Sequence, residues 1–273
     1  MQISSFTHIG MVRHNNEDSC LVVPPWSTLA INKKAITLAV ADGMGGQNAG
    51  EVASGMAIKS AIEWLSSNDL NSISTKILED MFAFINSNIW EYSQQHPETK
   101  GMGTTLTMVI IRGETALVGH IGDTRLYRLR DNTLIQLTND HSLVGEQVRT
   151  GKMTSQAART HPSRHILSRV MGGKQFVVPE IFTIEMKTGD TFMICSDGVS
   201  GMLEDKTIEK ILKENKVADA SKKLIEEANK AGGKDNSTAV VFGIENIPVT
   251  FPSWFSFERL AKIITGYGNA GSV

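Results

Sequence analysis

The order of apolar and polar residues along the chain predicts short β-strands in groups, with long helices between them. Apolar runs rich in β-branched residues are typical of strands. Several of these runs follow one another after only a turn, which favours antiparallel pairing. The predicted strands cover residues 19–23, 35–41, 104–111, 115–121, 124–129, 191–195 and 238–244.

Small and apolar side chains recur at helical spacing in two longer segments, which predicts helices over residues 49–65 and 73–90. A later helical pair is expected at residues 205–214 and 217–230. Because strands and helices come in blocks, the pattern favours an α+β architecture in which helices pack outside stacked antiparallel sheets.

Residues 138–170 differ from the rest because they are polar and rich in Ser, Thr and Arg. They stand between strands and predict a small, partly helical excursion at the surface. Such a segment either carries function on a rigid scaffold or is a solvated insertion, and the sequence leaves both interpretations open.

The last part of the chain is also distinct, and we divide the protein into residues 1–246 and a C-terminal extension, 247–273. Ser253 is placed to cap a short amphipathic helix. Its apolar stripe either folds back onto the body or docks on a partner or a membrane surface. The stripe consists of Trp254, Phe257, Leu260, Ala261 and Ile264.

Amino-acid composition and net charge exclude some classes of function. The chain has 273 residues, 41% hydrophobic and 21% charged, as is usual for a soluble globular protein. Its net charge of -2 gives no basic field for nucleic acid. Two cysteines, Cys20 and Cys195, favour a reducing compartment, and no signal peptide or apolar membrane span is visible. We therefore expect a cytoplasmic protein without a nucleic-acid partner.

Four aspartates stand at the ends or starts of apolar strands, and an acid pair begins another strand. Each acid alone is a common turn residue. Strand ends of a sandwich can meet at one rim, however, and clustered carboxylates need a cation because they repel one another. Oxygen ligands select Mg²⁺, Mn²⁺ or Ca²⁺. The acids are Asp42, Asp123, Asp197 and Asp235, with Glu17 and Asp18 as the pair.

Arg13 stands just before the acid pair. A guanidinium beside a carboxylate metal site is suited to holding a phosphate with two hydrogen bonds. The alternative is a surface arginine that pairs with Glu17. The sequence has no P-loop and no complete dinucleotide-binding fingerprint.

Six motifs in chain order resemble those of the metal-dependent serine/threonine protein phosphatases of the type 2C, or PPM, family, and the resemblance covers residues 1 to about 244. It implies a four-layer αββα sandwich of two stacked antiparallel sheets, with residues 138–170 as the flap subdomain of bacterial members. The motifs are Arg13-x-x-Asn16-Glu17-Asp18, Asp42-Gly43-x-Gly45-Gly46, Gly103-x-Thr105, Gly122-Asp123-x-Arg125, Ser196-Asp197-Gly198 and Asp235-Asn236-x-Thr238.

The resemblance also implies roles for single residues. Asp42 would bridge two Mn²⁺ or Mg²⁺ ions, and the carbonyl of Gly43 would join one of them. Asp197 and Asp235 would hold the other ion, and Asp123 with Asp197 would form a third site. Asp18 would orient the water that attacks phosphorus, and Arg13 would bind the substrate phosphate. Two ions that share a water would lower its pKa, so no covalent intermediate is required.

Met44 departs from the pattern of many eukaryotic members, which carry a histidine proposed as the general acid. Methionine cannot donate a proton, although bacterial members commonly have it. Our hypothesis is that His161 in the flap is the acid. The alternative is that His161 only caps a turn before Pro162.

These observations predict a monomeric phosphatase that acts on phosphoserine and phosphothreonine in proteins and reverses a bacterial-type Ser/Thr kinase. Two other functions remain open. One is a catalytically silent scaffold that binds phosphoproteins, and the other is a hydrolase of small phosphate esters.

Overall fold

We describe a computed structural model of the chain, for residues 1–23, 35–45, 49–68 and 74–245. The C-terminal helix predicted from Ser253 onward lies outside the described residues. Among the helices of the described part, none combines the length and apolarity that crossing a bilayer requires.

Two antiparallel sheets contain the eleven strands of these ranges. The first sheet has five strands in the order β1-β11-β10-β7-β8, and the second has β2-β3-β5-β6-β9 with β4 paired to β3. The strands are β1 Gln2–His8, β2 Asp18–Val23, β3 Ile36–Met44, β4 Gly103–Thr104, β5 Leu106–Arg112, β6 Thr115–Ile121, β7 Arg125–Arg130, β8 Thr133–Gln136, β9 Glu180–Glu185, β10 Thr191–Cys195 and β11 Ser237–Gly243.

Four longer helices cover the outer faces of the sheets, and shorter ones lie in the loops. Ser74 caps the second helix, because its side chain accepts a hydrogen bond from the backbone N–H of Ile77. The helices are α1 Ala49–Ser67, α2 Thr75–Gln95, α3 Leu143–Arg149, α4 Ser155–Thr160, α5 Asp197–Ser200, α6 Asp205–Glu214 and α7 Val217–Lys230.

Three apolar cores correspond to the three contacts between four layers. The first core joins α1 and α2 to the second sheet, and the third joins α6 and α7 to the first sheet. The middle core lies between the sheets. Strand β3 contributes to two of them, since Ala39 and Ala41 face the helices while Leu38 and Val40 face the other sheet. Burial on both faces explains its unbroken apolar run.

The predicted α+β sandwich with outer helices is therefore confirmed. The predicted helix over 205–214 coincides with α6, and that over 217–230 coincides with α7. The seven predicted strands are present with small differences at their ends. Strands β1, β8 and β9 were not predicted. Each is the last strand at an edge of its sheet, and their side chains are mostly exposed or half-buried.

Candidate active site

Asp18 and Asp42 lie opposite each other where β2 and β3 pair in the second sheet. Hydrogen bonds fix the backbone of Asp42 on both sides. Its N–H donates to Oγ1 of Thr105 at 2.9 Å, and its carbonyl accepts from the N–H of Thr105 at 2.9 Å. The strand end is therefore held rigidly while the carboxyl group extends from it.

Gly43 is required because the loop before β2 and the start of α1 approach the strand closely. A Cβ atom at Gly43 would lie 2.0 Å from the carbonyl oxygen of Gly50 and 2.7 Å from that of Glu17. The N–H of Gly43 donates to the Glu17 carbonyl at 3.0 Å. Close packing of the backbone thus explains this glycine, in addition to any access it gives to a ligand.

Asp18 is buried at the contact between the two sheets. Its Oδ2 accepts a hydrogen bond of 2.7 Å from Oγ of Ser196, which follows β10 in the other sheet. Its Oδ1 is buried and has no hydrogen-bond partner in the structure. Burial raises the pKa of Asp18 to about 7, against the opposite effect of the hydrogen bond from Ser196. An unpartnered buried carboxylate oxygen requires a donor or a cation.

The other three aspartates come from loops at the ends of strands. Asp123 lies in the turn between β6 and β7, Asp197 begins α5 directly after β10, and Asp235 precedes β11. A Cβ atom at Gly198 would lie 1.9 Å from the carbonyl oxygen of Asn236, so the loops that carry Asp197 and Asp235 touch. The fold therefore brings together acids that are far apart in the sequence.

Electrostatics link these carboxyl groups. The pKa of Asp42 is raised well above its usual range by burial and then by the surrounding negative charges, which are those of Asp18, Asp197, Asp123 and Asp235. Burial and the charge of Asp197 likewise raise the pKa of Asp123. Within the described ranges, no three His, Cys, Asp or Glu side chains form a ready-made metal site. The acids are thus neighbours within electrostatic range.

Arg13 pairs with one of these acids. Its Nη2 atom lies 2.8 Å from Oδ2 of Asp235, and both side chains are partly exposed. The alternative pairing with Glu17 that the sequence left open is not the contact observed. The pKa of Arg13 is raised mainly by the hydrogen bond that it donates to Asp235, and the charge of Glu17 adds to this effect. Arg13 therefore stands at the acidic centre.

Asn236 organises the loops of the centre, a role that sequence analysis did not assign. Its Oδ1 accepts from the N–H of Glu17 at 2.8 Å, and its Nδ2 donates to the carbonyls of Ile9 and Asn15. Ser196 and Thr105 similarly hold Asp18 and Asp42. One indication of these roles was visible in the sequence, where Asn236 and Ser196 stand next to motif aspartates.

Residues 138–170, the predicted flap, contain α3 and α4, and a hydrogen bond joins α4 to the body. Nη2 of Arg159 donates to the carbonyl of Leu203 at 2.7 Å. Nδ1 of His161 accepts from the N–H of Ser163 at 3.1 Å, so this ring caps the turn that follows α4. His165 is the flap histidine beside an acid of the centre, with its Nδ1 3.7 Å from Oδ2 of Asp197.

Comparisons with known proteins agree with this geometry. The family model described as protein phosphatase 2C matches residues 13–236. The serine/threonine phosphatase stp of Listeria welshimeri is 35% identical over 86% of this chain and 92% of its own length. The crystal structure of the Mycobacterium tuberculosis phosphatase PstP/Ppp has a TM-score of 0.80 and 35% identity, and the match covers 90% of this chain and 99% of that one.

A second structure of the PstP catalytic domain contains two manganese ions. It has a TM-score of 0.74 and 35% identity, with 88% of this chain and 96% of that chain covered.

Proposed function

The chain belongs to the protein phosphatase 2C family and is a serine/threonine protein phosphatase, and from this premise we propose which ions and residues carry its reaction. The relatives favour neither of the alternatives left open by the sequence, a silent scaffold or a hydrolase of small phosphate esters. The proposed substrates are phosphoserine and phosphothreonine in proteins modified by a Ser/Thr kinase.

The proposed cofactors are two Mn²⁺ or Mg²⁺ ions. The observation that carries this proposal is the set of acids around Asp42, which raise its pKa, together with the unpartnered buried oxygen of Asp18. Oxygen donors of this kind suit hard divalent cations. The PstP structure that contains two manganese ions supports a pair of Mn²⁺ ions. When bound, such ions supply an activated water and stabilise the charge on the phosphoryl group.

Each ligand position is assigned to a residue of this chain. Asp42 and the carbonyl of Gly43 would hold one ion, and Asp42, Asp197 and Asp235 would hold the other. Asp123 with Asp197 would hold a third ion if one binds. The rigid backbone of Asp42 supports a bridging role, because both its N–H and its carbonyl are already used within the protein.

Asp18 and Arg13 have the proposed roles of orienting water and binding phosphate. The fixed hydrogen bond from Ser196 leaves the second oxygen of Asp18 available to accept from a water. Arg13 would exchange Asp235 for the substrate phosphate, to which a guanidinium can donate two parallel hydrogen bonds.

The proton for the leaving oxygen must come from a group other than Met44, whose side chain is partly exposed and has no proton to donate. The hypothesis that His161 supplies it remains a prediction. The contact between His165 and Asp197 makes His165 a second candidate. Replacement of the true acid by glutamine should slow phosphopeptide turnover more than turnover of an aryl phosphate, whose leaving group needs less protonation. Equal rates with native protein on both substrates would exclude the histidine tested.

The experiment that tests the metal assignment compares native protein with Asp42→Asn. We expect phosphate release from a phosphothreonine peptide to require Mn²⁺, to stop in excess EDTA and to be lost in the variant. Asp131→Asn is the matched control, because Asp131 is exposed in a turn at positive φ that asparagine also adopts. Release that survives both EDTA and Asp42→Asn would show that the chemistry lies elsewhere in the chain.

The localisation and assembly proposed from the sequence also stay as proposals. We expect a monomer in the cytoplasm. We also retain docking on a partner or a membrane surface through residues 247–273, which lie beyond the described part of the chain.

A further inference from the structure

Several large apolar side chains that face solvent belong to segments that carry candidate site residues. Within the described ranges, eight such side chains are exposed. Four of them lie within two residues of a candidate site residue along the chain, and the fifth, Leu143, is hydrogen-bonded through its backbone to one of those four. We call these five the apolar rim, which consists of Met11, Val12, Met44, Leu143 and Ile166. The remaining three are Ile135, Phe176 and Val178.

The first part of the rim lies beside the arginine proposed to bind phosphate. Met11 and Val12 are 67% and 59% exposed and directly precede Arg13. The N–H of Met11 donates to the carbonyl of Gly233 at 2.7 Å, close to Asp235 in the same loop. Both residues therefore stand at the edge of the acidic centre.

The backbone of this segment is held in place although its side chains are in solvent. Gly10 has a φ of +85°, and a Cβ atom there would lie 2.4 Å from the carbonyl oxygen of Asp235. The segment is thus locked against the loop that carries Asp235. A surface whose backbone is already ordered loses less entropy when it binds a partner.

The other rim residues extend the apolar surface toward the flap. Met44 follows Asp42 by two residues and is 41% exposed. The N–H of Leu143 donates to the carbonyl of Ile166 at 2.9 Å, which joins two exposed side chains of the flap. Ile166 directly follows His165, whose ring lies 3.7 Å from Asp197.

We propose that Met11 and Val12 form a subsite for an apolar side chain of the substrate protein next to its phosphorylated residue. This inference rests on the proposed function, because it takes Arg13 as the group that binds the phosphate. The position favours this occupant, since Met11 and Val12 directly precede Arg13 and Met11 is hydrogen-bonded to the loop whose Asp235 pairs with Arg13. Methionine is flexible and polarisable, so the subsite should accept several apolar side chains, such as leucine, isoleucine and phenylalanine.

The test uses two phosphothreonine peptides that differ only in the two residues next to the phosphothreonine. Both of these residues are leucine in the first peptide and serine in the second. A small aryl phosphate, which has no flanking residues, is the third substrate. The enzyme variants are the double substitution Met11→Gln with Val12→Thr, and Val178→Thr as the matched control. Val178 is 75% exposed, and no contact joins it to the acidic centre among the hydrogen bonds and ion pairs described.

We expect native protein to have a kcat/KM roughly tenfold higher on the leucine peptide, which is the usual size of an apolar discrimination. The double variant should lose most of this preference and keep its kcat/KM on the aryl phosphate. The control should behave as native protein on all three substrates.

Three results would overturn the inference. The first is equal turnover of the two peptides by native protein, and the second is a preference for the leucine peptide that survives in the double variant. The third is a loss of kcat/KM on the aryl phosphate as large as that on the leucine peptide, which would mean that the substitutions had displaced Arg13. Failure of the proposed function would give another result, in which native protein with Mn²⁺ releases no phosphate from any of the three substrates. That result would also overturn the proposed subsite.

Discussion

At the scale of single residues, Asp18 is a carboxyl group in surroundings that favour its neutral form. It is 2% exposed, one of its oxygens has no partner, and its pKa is raised to about 7. The unfolded chain should instead titrate near the ordinary value of 3.8. The folded state therefore binds this proton more tightly, so metal-free protein loses stability as the pH rises from about 4 to about 7.

Asp18→Asn should remove this loss. In protein freed of metal with EDTA, we expect the variant to be more stable than native protein at about pH 8, by up to the order of 4 kcal/mol, and to lose that advantage at about pH 4. Urea unfolding at the two pH values measures the difference. Asp131→Asn, at an exposed turn, should show none. A gain of the same size at both pH values would contradict the assigned protonation.

Gly43→Ala should destabilise the protein by about 3 kcal/mol or more, because the added methyl group would overlap the carbonyl oxygen of Gly50. Turnover should fall with it, since the strand that carries Asp42 must shift. The matched substitution is Gly55→Ala in α1, where no atom lies within 4 Å of the new Cβ. Alanine favours helix, so this control should stabilise by about 1 kcal/mol. Equal effects at the two glycines would refute the close packing at Gly43.

The sequence predicts which aspartates belong to the acidic centre, but it does not predict which residues contact them. Asp42 and Asp197 each follow an apolar run and precede a glycine, a pattern visible in the sequence. The pairing of Arg13 with Asp235 spans 222 positions, and a contact between distant segments leaves no local pattern. The hydrogen bonds of Asn236 to three other loop residues were hidden for the same reason.

At the scale of elements, burial decided which strands could be predicted. Strands β10 and β11 are buried almost throughout and read as unbroken apolar runs. By contrast, β8 exposes most of its side chains. The seven residues of β1 include two serines, one threonine and one histidine. An edge strand needs fewer apolar residues because one side of it has no neighbouring strand, so the apolar pattern that reveals central strands is weak there.

Helix α4 of the flap is hydrogen-bonded to the body through the side chain of Arg159. We expect Arg159→Gln to release α4 from the carbonyl of Leu203 and to speed hydrogen exchange of residues 155–160 by about fivefold, the effect of losing one such bond. Exchange in α2 should not change. Arg149→Gln is the control, because Arg149 pairs with Glu146 inside α3 and does not fasten the flap to the body. Unchanged exchange in α4 would show that other contacts hold it.

At the scale of the whole molecule, the three apolar cores of the described residues are built from elements between β1 and β11. The last of the described strands ends at Gly243, and the family model matches residues 13–236. A chain that ends at Glu245 should therefore unfold at the same urea concentration as the full chain and keep its kcat/KM on phosphopeptides. If the shortened protein aggregates or melts earlier, residues 246–273 contribute to its stability.

The order of strands in the first sheet has a consequence for synthesis. Among the described strands, β1 pairs with β11 and with no other, so β1 stays unpaired until β11 has been synthesised. Asp235 lies two residues before β11, and Asp18 accepts a hydrogen bond from Ser196, which follows β10 of the opposite sheet. The nascent chain therefore cannot assemble this centre until β11 has been translated, and a translation product that stops before Asp235 should not dephosphorylate phosphopeptides.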